Sequence, residues 1–123
     1  MDDRRSLALA GEQLAAEHLA RAGYRIVARN VRAGGVELDV VASLPGLVVF
    51  VEVKTRRTRG FGAPEEAVDP RKCARLVRGA GAWLREHAAA GVRARFDVIA
   101  VEPDQDGVLR VRHLPDAFDA GGC

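Results

Sequence analysis

The chain has 123 residues, 48% of them hydrophobic and 29% charged, with a formal net charge of only +2. That length and apolar content suit one domain with a real core and exclude a disordered or low-complexity chain. So small a net charge does not by itself announce a nucleic-acid binder, although Arg56, Arg57, Arg59, Arg71, Lys72, Arg75 and Arg78 crowd the middle of the sequence. Aromatic residues are 5% of the chain, so Val, Leu and Ala must build the core.

The first element is a helix over 6–22, with Ser6 as its expected cap and Gly23 as its stop. Leu7, Gly11, Leu14, Ala15, Leu19 and Ala22 gather on one arc, Glu12 lies at its rim, and Gln13, Glu17 and Arg21 take the solvent side. Strands are expected over 24–31, 36–42 and 47–55, the last being the most apolar and suited to burial on both faces. Pro45-Gly46 reads as a hairpin turn. Residues 58–64 should form a loop. Asp69-Pro70 then opens a long helix to about residue 90, as N-cap and first-turn proline. Cys73, Val77, Ala80, Leu84 and Ala88 recur along one of its faces. A strand over 95–101, a turn at 104–107 and a weaker edge strand over 108–114 complete the chain, and the tail after Pro115 is expected to fray.

The order helix, three strands, helix, two strands predicts an α/β sandwich: one domain over 1–123, core about 6–114, around a mixed sheet whose middle strands pair antiparallel. Two cysteines, Cys73 and Cys123, carry no metal-binding spacing and suggest no disulfide framework, which points to a reducing cytoplasm. The charged Met1–Arg5 segment is followed by no long apolar run, so neither a signal peptide nor a membrane span is expected.

The segment with most chemistry is Glu37-Leu38-Asp39, then Pro45-Gly46, then Glu52-Val53-Lys54. Strand side chains alternate faces, so Glu52 and Lys54 share one side, and Asp39 can meet them if the two strands pair through the turn. Acids are poor strand residues and cost solvation beside apolar sequence unless something offsets their charge. A divalent cation does so: Mg²⁺ takes a few carboxylates plus waters and phosphate oxygens. Asp39 and Glu52 offer hard oxygen ligands, the Val53 carbonyl another, and Glu12 an outer or second-metal ligand. Lys54 is placed to hold an attacking water or the scissile phosphate. Read alone, Glu-x-Lys on a strand is more often an exposed ion pair worth little.

These residues resemble the PD-(D/E)XK nuclease core. The whole chain is more closely similar to the YraN-like family of small bacterial proteins, through Gly11-Glu12, Asn30-Val31-Arg32, Glu37-Leu38-Asp39, Val49 to Arg56, Lys72 and Arg95-Phe96-Asp97-Val98. The resemblance implies a restriction-endonuclease-like fold, a mixed central sheet flanked by helices. It also implies Asp39 and Glu52 as ligands of Mg²⁺ or Mn²⁺, Lys54 as the catalytic lysine and Glu12 as the helix glutamate of resolvase-like members. Leu38 replaces the proline of the motif's name. Val36 stands before Glu37 where the family has glycine, after Gly34-Gly35.

Other candidates each have a plainer role beside the functional one. Arg56, Arg57 and Arg59 suit a phosphate backbone or a solvated loop. Phe61 suits base stacking or, more simply, packing back on the core. Lys72 and Arg75 stand where a helix start favours anions. His18, His87 and His113 show no metal spacing and read as surface or packing residues. Asp97 reads as structural and paired with Arg95, Trp83 as core, and Cys73 as a small buried hydrophobe. The leading expectation is a metal-dependent nuclease on DNA, with branched or damaged forms as candidate substrates and a homodimer left open. The alternatives are a non-catalytic nucleic-acid-binding module and an interaction protein.

Overall fold

In the computed structural model, which describes residues 3–57, 69–87 and 91–121, the element order matches the sequence pattern. α1 (Asp3–Arg21) is followed by β1 (Arg25–Ala33), β2 (Val36–Leu44), β3 (Leu47–Thr55), α2 (Pro70–Glu86), β4 (Arg93–Pro103) and β5 (Leu109–Phe118). The five strands form one sheet in chain order. β1, β2 and β3 make an antiparallel meander, β3 and β4 run parallel with α2 on the crossover, and β5 returns antiparallel to β4. The fold is therefore the expected α/β sandwich around a mixed sheet.

Each helix buries a different face of the sheet. Under α2 lie Val36, Leu38, Phe50, Phe96 and Val98 with Leu76 and Trp83 of the helix. Under α1 lie Val40, Val49, Val51, Ile99 and Val101 with Ala15 and Leu19. β3 is covered on both sides, and Leu47 through Glu52 are all buried, as its unbroken apolar run requires. Two glycines let the helices approach closely. A Cβ on Gly11 would collide with the side chain of Thr55, and one on Gly79 would stand 2.9 Å from the Cβ of Val36.

Three local expectations are corrected. α1 begins at Asp3, not at Ser6. Asp3, Arg4 and Arg5 are all compatible with helix, and Ser6 in mid-turn need not break it. Gly23 does end the helix, at φ +96°, with Tyr24 N–H returning to Leu19 O at 2.9 Å. The tail after Pro115 is not frayed: β5 runs on to Phe118, whose buried ring stacks on Phe96 at 4.9 Å between centroids. A register irregularity opposite Phe96 and Val98 and a left-handed Asp116 (φ +54°) carry the strand past the proline. Finally, Cys73 is buried, as expected of a small hydrophobe, but it is disulfide-bonded. Two cysteines in a chain carry no spacing signal, because pairing depends on proximity in the fold.

α2 starts as read, with Pro70 in the first turn and Asp69 capping it by accepting from Lys72 N at 2.8 Å. It closes at His87, earlier than the glycine at 91. The His87 ring stacks on Trp83 at 4.0 Å and its Nδ1 lies 2.9 Å from Trp83 O, while its backbone N–H donates to the carbonyls of Trp83 and Arg85. Among the described residues no helix is long and apolar enough to cross a membrane.

Candidate functional site

The β2–β3 hairpin pairs residue by residue from Leu44↔Leu47 to Val40↔Val51, and there its ladder stops. The next rung would set Asp39 opposite Glu52. Leu38 joins the core under α2 while Val40 joins the core under α1. On a regular strand those two would share a face, so β2 twists at Asp39 as it leaves β3. The Asp39 carboxylate fills the gap: its Oδ2 accepts from Val53 N at 2.9 Å, in place of a backbone carbonyl.

The gap brings two acids together in a poorly solvated place. Glu52 is buried and Asp39 half-buried. Burial, then the negative charge of Glu52, push the Asp39 carboxyl up to about 8 against the pull of the Val53 N–H, and Glu12 adds a smaller push in the same direction. Burial and mutual repulsion thus favour a shared proton on the pair, and a bound cation would favour its release. Glu52 also makes an ion pair with Lys72 Nζ, so α2 supplies part of the missing positive charge.

Two openings share Glu52 and Lys72 in their walls. A cleft of about 560 Å³ is lined by Glu12, Glu52, Val53, Lys54, Arg57 and Lys72, and also by Arg4 and Arg56. A smaller hollow of about 250 Å³ on the α2 side is lined by Glu37, Asp39, Glu52, Lys72 and Arg75. Glu12 reaches the cleft because Gly11 seats α1 against Thr55. Its Oε1 is buried with no hydrogen-bond partner among the described protein groups, which makes it available to a cation or water. The donor set fits a hard divalent ion: carboxylates that cannot all be charged, one orphaned oxygen and an open cleft for water. Among the described residues no three His, Cys, Asp or Glu side chains form a ready-made metal cluster, so an ion here would lean on solvent or phosphate for its remaining ligands.

The model of uncharacterised protein family UPF0102 matches residues 11–101, a span that contains Glu12, Asp39, Glu52, Lys54 and Lys72. The chain belongs to this family. A UPF0102 protein of Symbiobacterium thermophilum is 51% identical over 111 residues, which is 90% of this chain and 94% of that one. Another from Geobacter sulfurreducens is 46% identical over 113 residues, 92% of this chain and 88% of the relative. Among solved structures, Pyrococcus furiosus SfsA in complex with Ca²⁺ aligns at 19% identity with a TM-score of 0.41, over 91% of this chain. The chain spans 64% of the length of SfsA.

The remaining candidates of this UPF0102 protein fall in different places. Lys54 lies on the cleft wall but is exposed. Lys72 and Arg75 flank the carboxylates from α2. Arg57 is exposed at the cleft, whereas Arg56 is drawn inward, 3.9 Å from Glu102 with only 13% of its side chain exposed. Glu37 points outward and lies 3.9 Å from Arg32. Arg59 and Phe61 lie outside the described residues. Sequence reading missed the Lys72–Glu52 pair, because no spacing rule links a helix lysine to a strand twenty residues earlier. It also missed the meeting of His18 with His113, which are 95 residues apart in the chain.

Proposed function

We propose that this UPF0102 protein is a metal-dependent phosphodiester hydrolase acting on nucleic acid, with DNA the leading substrate. The observation that carries the reading is the pairing of Asp39 with Glu52 where β2 and β3 part, two acids in a poorly solvated place whose charge Lys72 offsets only in part. The resemblance to the PD-(D/E)XK core points the same way. A bound Mg²⁺ or Mn²⁺ would lower the pKa of an attacking water and offset charge on the phosphate oxygens. Asp39 and Glu52 would hold it with the Val53 carbonyl, and Glu12 would support it from the α1 side. Lys54, on the wall of the same cleft, would hold the water or the scissile phosphate. Arg57, Lys72 and Arg75 would neutralise neighbouring phosphates, a contribution independent of sequence and sensitive to salt.

A second reading is a nucleic-acid-binding module that does not cut. The Lys72–Glu52 ion pair favours it, because an ammonium group already fills part of the place a cation would take. One experiment separates the two. Labelled linear, flapped, junction and single-stranded DNA, with matching RNA, are incubated with protein in Mg²⁺, Mn²⁺ or EDTA. The nuclease reading requires metal-dependent products that Asp39→Ala and Lys54→Ala abolish while circular dichroism stays native. Equal cutting by wild type and both variants would assign the activity to a contaminant. Retarded bands without products in either metal would support the binding module.

A further inference from the structure

The face of the sheet under α1 carries a second polar cluster. Asp97 on β4 is fully buried yet held by every side around it. Its Oδ1 accepts from Arg95 Nε at 2.8 Å and from Asp116 N at 2.9 Å. Its Oδ2 accepts from Arg95 Nη2 at 2.8 Å and lies 2.7 Å from His113 Nε2. Arg95 is steadied in turn by Tyr24 Oη at 2.6 Å. A carboxylate can only accept, so His113 donates to it through Nε2, and its Nδ1 serves as the acceptor of a hydrogen bond from α1. That nitrogen points at His18 Nε2 of α1, 3.2 Å away.

We infer that His18 and His113 form a binding site for a transition-metal cation that prefers imidazole, Zn²⁺, Cu²⁺ or Ni²⁺, separate from the Asp39–Glu52 carboxylates. Two imidazole nitrogens about 2.05 Å from one tetrahedral ion lie about 3.3 Å apart, close to the spacing found here. A carboxylate behind one ring is the usual outer support of a metal-bound histidine: it fixes the tautomer and raises the basicity of the coordinating nitrogen. Asp97 does this for His113. Burial, then the nearness of His113 and of Arg21, hold the His18 imidazole below its ordinary pKa, which favours the neutral ring, and an ion bound here would replace the proton that His18 Nε2 shares with His113 Nδ1. Arg95 is balanced by Asp97, so Arg21 is the cation that opposes an incoming ion. His18 is only half-buried, which gives an ion a way in and leaves its other positions to water or an external ligand. Soft or borderline metals select this nitrogen pair, and Mg²⁺ selects the oxygens of the other site.

The test uses the full-length protein without a histidine tag, carrying Asp39→Asn and Glu52→Gln so that the carboxylates do not compete. Zn²⁺ and Cu²⁺ are titrated by calorimetry and by thermal unfolding, and the Cu²⁺ form is examined by electron paramagnetic resonance. One ion per chain, a rise in Tm of several degrees and hyperfine coupling to two nitrogens are expected. His18→Ala, a change on a half-exposed helix face, should weaken binding at least tenfold and lose the two-nitrogen coupling while the apo Tm stays near that of its parent. Absence of Zn²⁺ and Cu²⁺ binding, or binding unchanged in His18→Ala, would overturn the site. Because the background lacks the Asp39 and Glu52 charges, neither result depends on whether the protein cuts DNA.

Discussion

Asp39 on β2 and Asp97 on β4 are two aspartates of one sheet in very different company. Asp97 is fully buried, but four donors surround it: Arg95 twice, His113 and the Asp116 amide. Burial would raise its carboxyl, and these partners more than reverse that, so it stays below its ordinary range. Asp39 has one backbone donor and a second acid as its neighbour, and its carboxyl is pushed up to about 8. Depth alone therefore does not mark a functional carboxylate. What distinguishes the two is whether the fold completes the charge or leaves it short.

The contrast breaks first at Asp39→Asn. Mg²⁺-dependent cleavage should fall by at least about a thousandfold, ~4 kcal/mol of transition-state stabilisation, while urea unfolding of the metal-free protein shows no loss of stability. If cleavage survives, the unbalanced acid is not part of the chemistry. Asp97→Asn should behave in the reverse way. It leaves Arg95 and His113 without their carboxylate and should cost about 3 kcal/mol in urea unfolding. A stability loss under about 1 kcal/mol would show that the four donors are not holding the fold.

The pH dependence sharpens the same comparison. Folding raises the Asp39 pKa, so between about 4 and 8 the native state binds more protons than the unfolded chain, and stability must decline as pH rises through that window. Screening at the open end of the cleft leaves a decline on the order of 2 kcal/mol. Asp39→Asn should flatten it, and saturating Mg²⁺ should oppose it. Stability of the metal-free wild type that rises steadily from pH 5 to 8 would contradict the Asp39–Glu52 interaction. Asp97 contributes the opposite sign, a loss as pH falls through its lowered pKa, and should be felt only in acid.

The smallest effect is expected at Gly11→Ala. The added methyl would collide with Thr55 Oγ1, so Thr55 must turn away or α1 must lift off β3 by more than an ångström, for about 1–2 kcal/mol. Glu12 would move with it, and Mn²⁺ affinity measured by calorimetry should fall severalfold. Unchanged affinity with a lowered Tm would remove Glu12 from the metal site and leave Gly11 a packing residue.

Much of this was legible in the amino-acid order. The unbroken apolar run Leu47-Val48-Val49-Phe50-Val51 placed β3, because a strand covered on both faces shows no polar alternation over that length. Pro45-Gly46 gave the hairpin, and the hairpin gave the encounter of Asp39 with Glu52. Long-range partners were hidden. Phe118 looked like part of a loose tail until Phe96 was found beside it. The disulfide at Cys73, the Lys72–Glu52 pair and the approach of His18 to His113 depend on how helices lie across the sheet, which no periodicity encodes. Ser6 misled because a good cap residue can also sit inside a helix.

The β2–β3 hairpin also acts as a ruler. Its arms match one for one from the turn to the last paired rung, Val40 with Val51, so each acid is reached by counting the same number of steps from Pro45-Gly46. Adding or removing one residue in the first arm would slide Asp39 past its mark, and in the second arm would carry Glu52 to the opposite side of the sheet. The composition of the turn can drift, but the equality of the two arms cannot.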